Sequence, residues 1–301
     1  QGLPYYLNFI TAYPTVTQLA AAADEEVFRL WQGLGYYSRC KNMLVTARHI
    51  STSLNGCFPD TAAEIARLKG IGPYTAAAIA SFAFNEPVAV VDGNVYRVLS
   101  RYLCIDTPCD TTAGKKEFTA LARRYLATGS SAAYNQAIMD LGATVCTPRA
   151  PKCTACPVSD GCMALKKGTA QLLPVKSKKI KVTTRYFNFI ILRNKGRIWL
   201  QKRGAGDIWE NLHQPYLVET NNATGSIDIT SLLLQAGINV TNVQPAGTSS
   251  QRLTHRIIKA ECYLADAPEI VPGGDWYPLA ECSKLAFPKT VNDFLIQNNI
   301  I

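Results

Sequence analysis

A chain of 301 residues with 31 Lys and Arg against 22 Asp and Glu is long enough for two domains with real cores and carries a net charge of +9. Its ten cysteines, in so long a chain and behind no apolar leader, exclude the small secreted disulfide scaffold and lead us to expect a cytoplasmic protein. No apolar run has the length of a bilayer span, which excludes a helical membrane protein and leaves no membrane among the expected partners.

In chain order, residues 1–145 read as short helices over 3–13, 24–31, 38–54, 61–68, 73–84, 92–103, 114–127 and 132–143. Asp24 and Thr61 stand near helix starts, and Pro14, Pro59 and Pro87 interrupt the pattern where helices should stop. The chain opens Gln-Gly-Leu-Pro-Tyr-Tyr rather than with Met, and its first helix starts without a cap, so residues upstream of Gln1 are expected. Residues 146–165 form a tight cysteine loop, and residues 166–181, with six lysines and a proline, a basic linker. After it the pattern changes. TTRYFNFIILR, RIWLQKR, HQPYLVE and RIIKAECYLA read as strands, SIDITSLLLQAG and TVNDFLIQNN as helices, which predicts a smaller α+β domain over 182–301.

Charge is divided unevenly. Residues 1–181 carry 20 Lys and Arg against 12 Asp and Glu, while residues 182–301 carry 11 against 10. The basic half is the better candidate for contact with phosphates, the plainer alternative being a merely soluble basic surface.

Cys146, Cys153, Cys156 and Cys162 follow one another as C-x6-C-x2-C-x5-C. Thiolates this dense are suited to holding metal: a buried free cysteine needs no partner at fixed spacing. Zinc sites typically carry two short pairs and here only Cys153 and Cys156 make one, so the spacing fits an iron–sulfur cluster better, with zinc as the next alternative and unligated or disulfide-bonded cysteines last.

Leu68-Lys69-Gly70-Ile71-Gly72-Pro73-Tyr74 places a Gly-Ile-Gly hairpin between two helices. Such a turn lets backbone approach another molecule, and amides at the following helix start can hold a phosphate oxygen without reading sequence. A plain helix–helix turn is the alternative. Twenty residues on, Val90-Val91-Asp92-Gly93-Asn94-Val95 sets one carboxylate at the entrance of an apolar helix. Asp92 reads as an N-cap and also as a carboxylate able to stabilise a cation formed at a sugar carbon.

Hairpin, VDGNV and cysteine quartet, in this order, resemble the endonuclease III superfamily of DNA glycosylases. Gly33-Leu-Gly-Tyr-Tyr-Ser38, KGIGPYTA, Asn135-Gln-Ala and LGATVCTP resemble its adenine glycosylase (MutY) branch. The resemblance covers essentially the whole chain. It implies a multi-domain fold: an all-α helix–hairpin–helix glycosylase domain over 1–165, divided into a helical barrel (1–105) and an iron–sulfur cluster region (106–165). The linker 166–181 and a Nudix-like lesion-recognition domain over 182–301 follow.

It also implies a function: base-excision repair by hydrolysis of the N-glycosidic bond of adenine mispaired with 8-oxoguanine or guanine, with the adenine flipped from the duplex. The cofactor implied is a 4Fe-4S cluster on Cys146, Cys153, Cys156 and Cys162. The partner is double-stranded DNA holding 8-oxoguanine:adenine mispairs, bound by a monomer in a bacterial cytoplasm at the nucleoid. Asp92 takes the role of supporting the cationic sugar. Gly70, Gly72, Tyr74, Asn94, Arg149 and Lys152 are expected at the DNA, and of Tyr36 and Tyr37 the second is expected to insert beside the damaged base, the alternative for either being a core position.

Where bifunctional members carry a Schiff-base lysine, this chain has Tyr74, which implies base removal without an efficient lyase step. The family's general-acid glutamate belongs to a segment upstream of LPYYLNF, so impaired activity is expected of the chain as written. A bifunctional lyase and a non-catalytic damage-binding protein are the competing readings.

In the second half, Ile208-Trp209-Glu210-Asn211-Leu212, Gln214-Pro215 and Val218-Glu219 resemble the Nudix-like domain that reads 8-oxoguanine. Residues 220–237 hold one Asp and no Glu, so the magnesium-binding glutamate helix of a Nudix hydrolase is missing. Leu253-Thr254-His255 matches the family's Phe-Ser-His, which assigns lesion recognition to Thr254 and His255; a surface strand position is the alternative for His255.

Overall fold

The computed structural model describes residues 2–177, 182–222 and 229–301, and contacts divide the chain into two units, residues 1–56 with 180–301 and residues 57–179. Four helices open the first unit: α1 (Leu3–Ala12), α2 (Val16–Ala21), α3 (Asp24–Trp31) and α4 (Tyr37–Ser53). The apolar period does not reveal α2, which instead starts on a capping box. Thr15 Oγ1 accepts from Gln18 N at 3.2 Å and Gln18 Oε1 accepts from Thr15 N at 3.0 Å. Asp24, Glu25 and Glu26 fill the first turn of α3, where carboxylates meet the positive end of the helix dipole. Val27, Phe28, Cys40 and Leu44 are buried in one core with Phe187, Phe189 and Phe294. That shared core groups residues 1–56 with the sheet of the second half, whereas the sequence reading placed them among the other helices.

The second unit is helical: α5 (Ala62–Ile65), α6 (Pro73–Phe84), α7 (Gly93–Leu103), α8 (Thr112–Tyr125), α9 (Ser131–Asp140), a π-helical turn Leu141–Val145, and α10 (Met163–Lys166). Ile65, Ala76 and Ala80 close α5 onto α6, and Val95, Leu99, Phe118 and Ala122 close α7 onto α8. Asn135 of α9 is 1% exposed and ties the pieces together. It donates to Ser81 Oγ at 2.8 Å and Val88 O at 2.9 Å, and accepts from Val90 N at 3.0 Å. The segment leading to Asp92 is thereby fixed by a buried amide with its groups satisfied.

The first unit continues with β1 (Thr183–Asn194), β2 (Arg197–Lys202), β3 (His213–Gln214), β4 (Tyr216–Thr220), α11 (Ile229–Gln235), β5 (Thr241–Arg252), β6 (Arg256–Asp266), β7 (Asp275–Pro278), α12 (Leu279–Cys282) and α13 (Lys289–Gln297). The seven strands form one sheet in the order β3-β2-β1-β6-β5, with β4 also on β1 and β7 on β2. β1 and β6 run parallel from Thr183 opposite Arg256 to Arg193 opposite Asp266. The unbroken apolar run in β1 reflects burial on both faces: Phe187, Phe189 and Ile191 join the core with α13, Ile190 and Leu192 the core with α11. Each such side chain, fully buried, contributes about 1.5–3 kcal/mol. β5 is an edge strand whose polar sequence, Pro245 and two register shifts hide it from periodicity. Among the described residues no helix is long and apolar enough to cross a membrane.

Candidate functional site

Four sites are built from the residues singled out by sequence, three in the helical unit and one in the first unit. At the hairpin, Gly70 has φ +79°, a left-handed conformation that a side chain resists. Gly72 is extended as the N-cap of α6 and Pro73 occupies its first turn. Gly70, Gly72 and Tyr74 are all exposed, Tyr74 at 45%, so the turn presents backbone and one aromatic ring to solvent.

Asp92 is the N-cap of α7. Its Oδ1 accepts from Asn94 N and Val95 N, each at 2.8 Å, and its Oδ2 accepts from Asn94 Nδ2 at 2.8 Å. The carboxylate is partly exposed and cannot turn without breaking these bonds. Asn94 is held in turn: Arg97 Nη2 donates to its Oδ1 at 2.7 Å. Arg97 is buried, which pushes its guanidinium pKa down, and it spends its other groups on Gly142 O at 2.6 Å, Cys146 O at 2.6 Å and Gly93 O at 3.3 Å. Gly142 sits against α7 so closely that an added Cβ would lie 2.6 Å from Asn94 Cβ. A short polar path thus joins Asp92 to the first cysteine of the loop.

Cys146, Cys153, Cys156 and Cys162 line one small cavity together with Arg101. Burial, then the nearby sulfurs of Cys146, Cys162 and Cys156, push the Cys153 thiol up. Arg101 is 2% exposed and wraps the loop: it donates to Leu173 O (3.1 Å), Thr147 O (2.8 Å), Pro148 O (3.1 Å) and the Cys146 sulfur (3.3 Å). Among the described residues no three His, Cys, Asp or Glu side chains are arranged to hold a single metal ion. The thiols ring a space instead, and four thiols around one cavity with a buried cation beside them are a donor set suited to an iron–sulfur cluster. Arg149 and Lys152 are exposed on this loop.

Sequence reasoning missed Arg97 and Arg101. They stand one helical turn apart on α7 with no motif to mark them, and only the fold brings the carbonyls of residues 142–148 to them.

In the first unit a cleft of about 660 Å³ lies between the Gly33–Lys41 turn and the segments 206–210 and 251–256. Thr254 and His255 are exposed on its wall. Tyr36 is 64% exposed, and its hydroxyl lies 3.3 Å from Thr254 Oγ1. Tyr37 is 7% exposed; its hydroxyl accepts from Gly33 N at 3.3 Å and donates to Phe287 O at 3.5 Å. The expectation that Tyr37 rather than Tyr36 meets DNA is therefore corrected on burial. Tyr36 has φ +47° ahead of α4, which turns its ring outward, while Tyr37 begins the helix and packs into the core.

Lys41 and Glu210 make an ion pair across the cleft. Asp207 is the hub behind it. Its carboxylate accepts from Arg185 Nη1 (2.6 Å) and Nη2 (2.9 Å), Arg203 Nη2 (2.6 Å), Arg256 Nη1 (3.0 Å) and Ile208 N (2.7 Å). Burial alone would raise its pKa, but the Arg185 and Ile208 hydrogen bonds and the arginine charges hold it well below the usual carboxylate range.

Comparison with known proteins fits this geometry. Residues 2–124 match the family model of the HhH-GPD superfamily base excision DNA repair proteins, residues 146–162 that of the iron-sulfur binding domain of endonuclease III, and residues 188–297 that of the NUDIX domain. The adenine DNA glycosylase of Buchnera aphidicola subsp. Baizongia pistaciae is 32% identical over 255 residues, 84% of this chain and 70% of that protein. Its counterpart from subsp. Acyrthosiphon pisum is 34% identical over 211 residues, 70% of this chain and 60% of that protein, so the chain spans well short of those relatives' full length. A solved thermostable thymine-DNA glycosylase superposes with a TM-score of 0.51 at 28% identity, over 55% of this chain and 76% of that one. With its iron–sulfur-binding loop and its NUDIX domain, the chain belongs to the adenine DNA glycosylase family of the HhH-GPD superfamily.

Proposed function

We propose that this protein removes adenine from DNA where adenine faces 8-oxoguanine or guanine, by hydrolysing the N-glycosidic bond and leaving the strand uncut. The observation that carries the reading is Asp92: a carboxylate at a helix start, aimed by three hydrogen bonds from its own helix and partly open to solvent. Breaking the bond between sugar and base leaves cationic character on the sugar, and a carboxylate fixed beside it lowers the barrier without reorganising. Asn94 aims Asp92, and the exposed turn of Gly70, Gly72 and Tyr74 takes the phosphate backbone. Tyr74 stands where a lyase would carry lysine, which supports a monofunctional reaction.

Thr254 and His255 read the opposite base in the cleft of the first unit, and Tyr36 is the aromatic residue that props the duplex open there. Arg149 and Lys152 add charge toward the backbone from the cysteine loop. The cluster is of the 4Fe-4S type, held by Cys146, Cys153, Cys156 and Cys162; the 6-2-5 spacing and the ring of thiols around one cavity support that choice. When bound it would tie the four thiolates together and so hold the loop that carries Arg149 and Lys152 rigid. In domain terms, 1–165 acts as the glycosylase domain, 166–181 as a linker and 182–301 as the lesion reader, working as a monomer in the bacterial cytoplasm.

Single-turnover assays on duplexes with adenine opposite 8-oxoguanine, guanine or thymine test the reading. Free adenine is expected from the first two and not the third, with no covalent adduct on borohydride treatment. Adenine release independent of the opposite base, or a trapped adduct, would contradict it.

A further inference from the structure

The lesion-reading segment is flanked by two arginines, Arg252 and Arg256. Arg252 closes β5 and Arg256 opens β6, with Leu253 N donating to Arg256 O at 2.8 Å across the turn and Arg252 paired opposite Ile257. Thr183 N donates to His255 O at 3.1 Å, so the tip is tethered to β1 as well. Thr254 and His255 are therefore the exposed tip of a rigid hairpin whose two feet are guanidiniums. Both arginines line the 660 Å³ cleft with them.

The two cations differ in how they are held. Arg252 is exposed, and among the described residues its side chain has no hydrogen-bond or ion-pair partner. The Arg256 side chain is 40% exposed and gives one N–H to Asp207, leaving the rest of the fork toward the cleft. Asp207 does not neutralise it. The same carboxylate is shared with Arg203, 8% exposed, and with Arg185, whose other partner is Glu219. Three guanidiniums against two carboxylates leave one positive charge, and Arg256 is the guanidinium of the cluster on the cleft wall, beside Asp207. The hub's backbone is also fixed, since Arg203 Nε donates to Ile208 O at 2.8 Å.

We propose that Arg252 and Arg256 are phosphate contacts, one on each side of the nucleotide whose base meets Thr254 and His255. A planar fork suits a phosphate, and two forks at the feet of a two-residue tip bracket a single nucleotide of the strand. The assignment rests on the cleft being the opposite-base reader, and it adds a sequence-independent grip that sets register there.

The test is the salt dependence of binding to a duplex with adenine opposite 8-oxoguanine, measured on the full chain. Each phosphate contact contributes about 0.9 to the slope of log affinity against log salt. R252Q and R256Q are each expected to lower the slope by about one, the double variant by about two, while R256K keeps it because the charge remains. Thr254→Ala serves as the separating control: it should leave the slope unchanged and reduce the preference for 8-oxoguanine over guanine. Unchanged slopes in R252Q and R256Q, or an equal fall in R256Q and R256K, overturn the proposal. If the wild-type chain shows no preference for 8-oxoguanine while both slopes fall, the lesion reading fails and the two phosphate contacts stand.

Discussion

Asn94 Nδ2 donates to Asp92 Oδ2 at 2.8 Å, so the side chain two residues into α7 fixes the rotation of the carboxylate that caps it. Arg97 locks that amide by donating to its oxygen at 2.7 Å while also binding Cys146 O. The carboxylate and the cysteine loop are therefore mechanically joined through two side chains.

Asn94→Ala leaves the two backbone bonds to Asp92 Oδ1 in place but frees Oδ2. A loss of about tenfold to a hundredfold in adenine release is expected, with little change in melting temperature, since one misaligned group commonly has that effect. Single-turnover rates beside a thermal melt check it.

Arg101→Gln should empty the loop. Its guanidinium satisfies four carbonyls and one sulfur in a buried site, and each group left unpaired costs about 1–3 kcal/mol. Iron content per chain is expected to fall well below that of the parent protein, with loss of the visible absorption of an iron–sulfur cluster. Arg149→Gln, on the exposed part of the same loop, should keep full iron.

Tyr36 and Tyr37 separate binding from stability. Tyr37→Ala removes a core ring and is expected to cost about 3–5 kcal/mol in unfolding free energy. Tyr36→Ala should leave stability nearly unchanged and weaken binding to a mispaired duplex. Denaturant titration and a binding isotherm on both variants decide it.

His213 makes stability depend on pH. It is 6% exposed, its Nδ1 has no hydrogen-bond partner among the described residues, and burial, then the Lys202 charge, lowers its pKa. Lys202 itself pairs with Glu25 of α3. The unfolded chain takes up this proton near pH 6.5 and the folded chain only at lower pH. Stability is therefore full above about pH 6.5 and falls as pH drops from there through the folded value. His213→Phe should flatten melting temperature between pH 7 and 5; a variant as pH-dependent as the parent in that window would rule this out.

Much of this architecture is legible in the sequence because local chemistry dictates it. Asp92 before an apolar helix is a cap in any context, and the cysteine spacing survives as one lined cavity. What stays hidden is long-range. No motif marks Arg97 and Arg101, whose role shows only once residues 142–148 fold onto α7, and Asp207 looks like a loop residue until Arg185, Arg203 and Arg256 converge on it. The choice between Tyr36 and Tyr37 depends on a single left-handed residue, which the repeated tyrosine conceals. β5 is invisible to periodicity because an edge strand need not alternate.

The most direct measurement compares adenine release by the parent chain and Asp92→Asn under single-turnover conditions, on a duplex with adenine opposite 8-oxoguanine. Asparagine caps a helix about as well as aspartate, so the fold should hold. Release by the parent and a fall of roughly 10²–10³ in the variant is the expected result, the scale of losing one preorganised electrostatic group. Equal rates of adenine release in the two proteins would contradict the assignment of Asp92 as the carboxylate that carries the reaction.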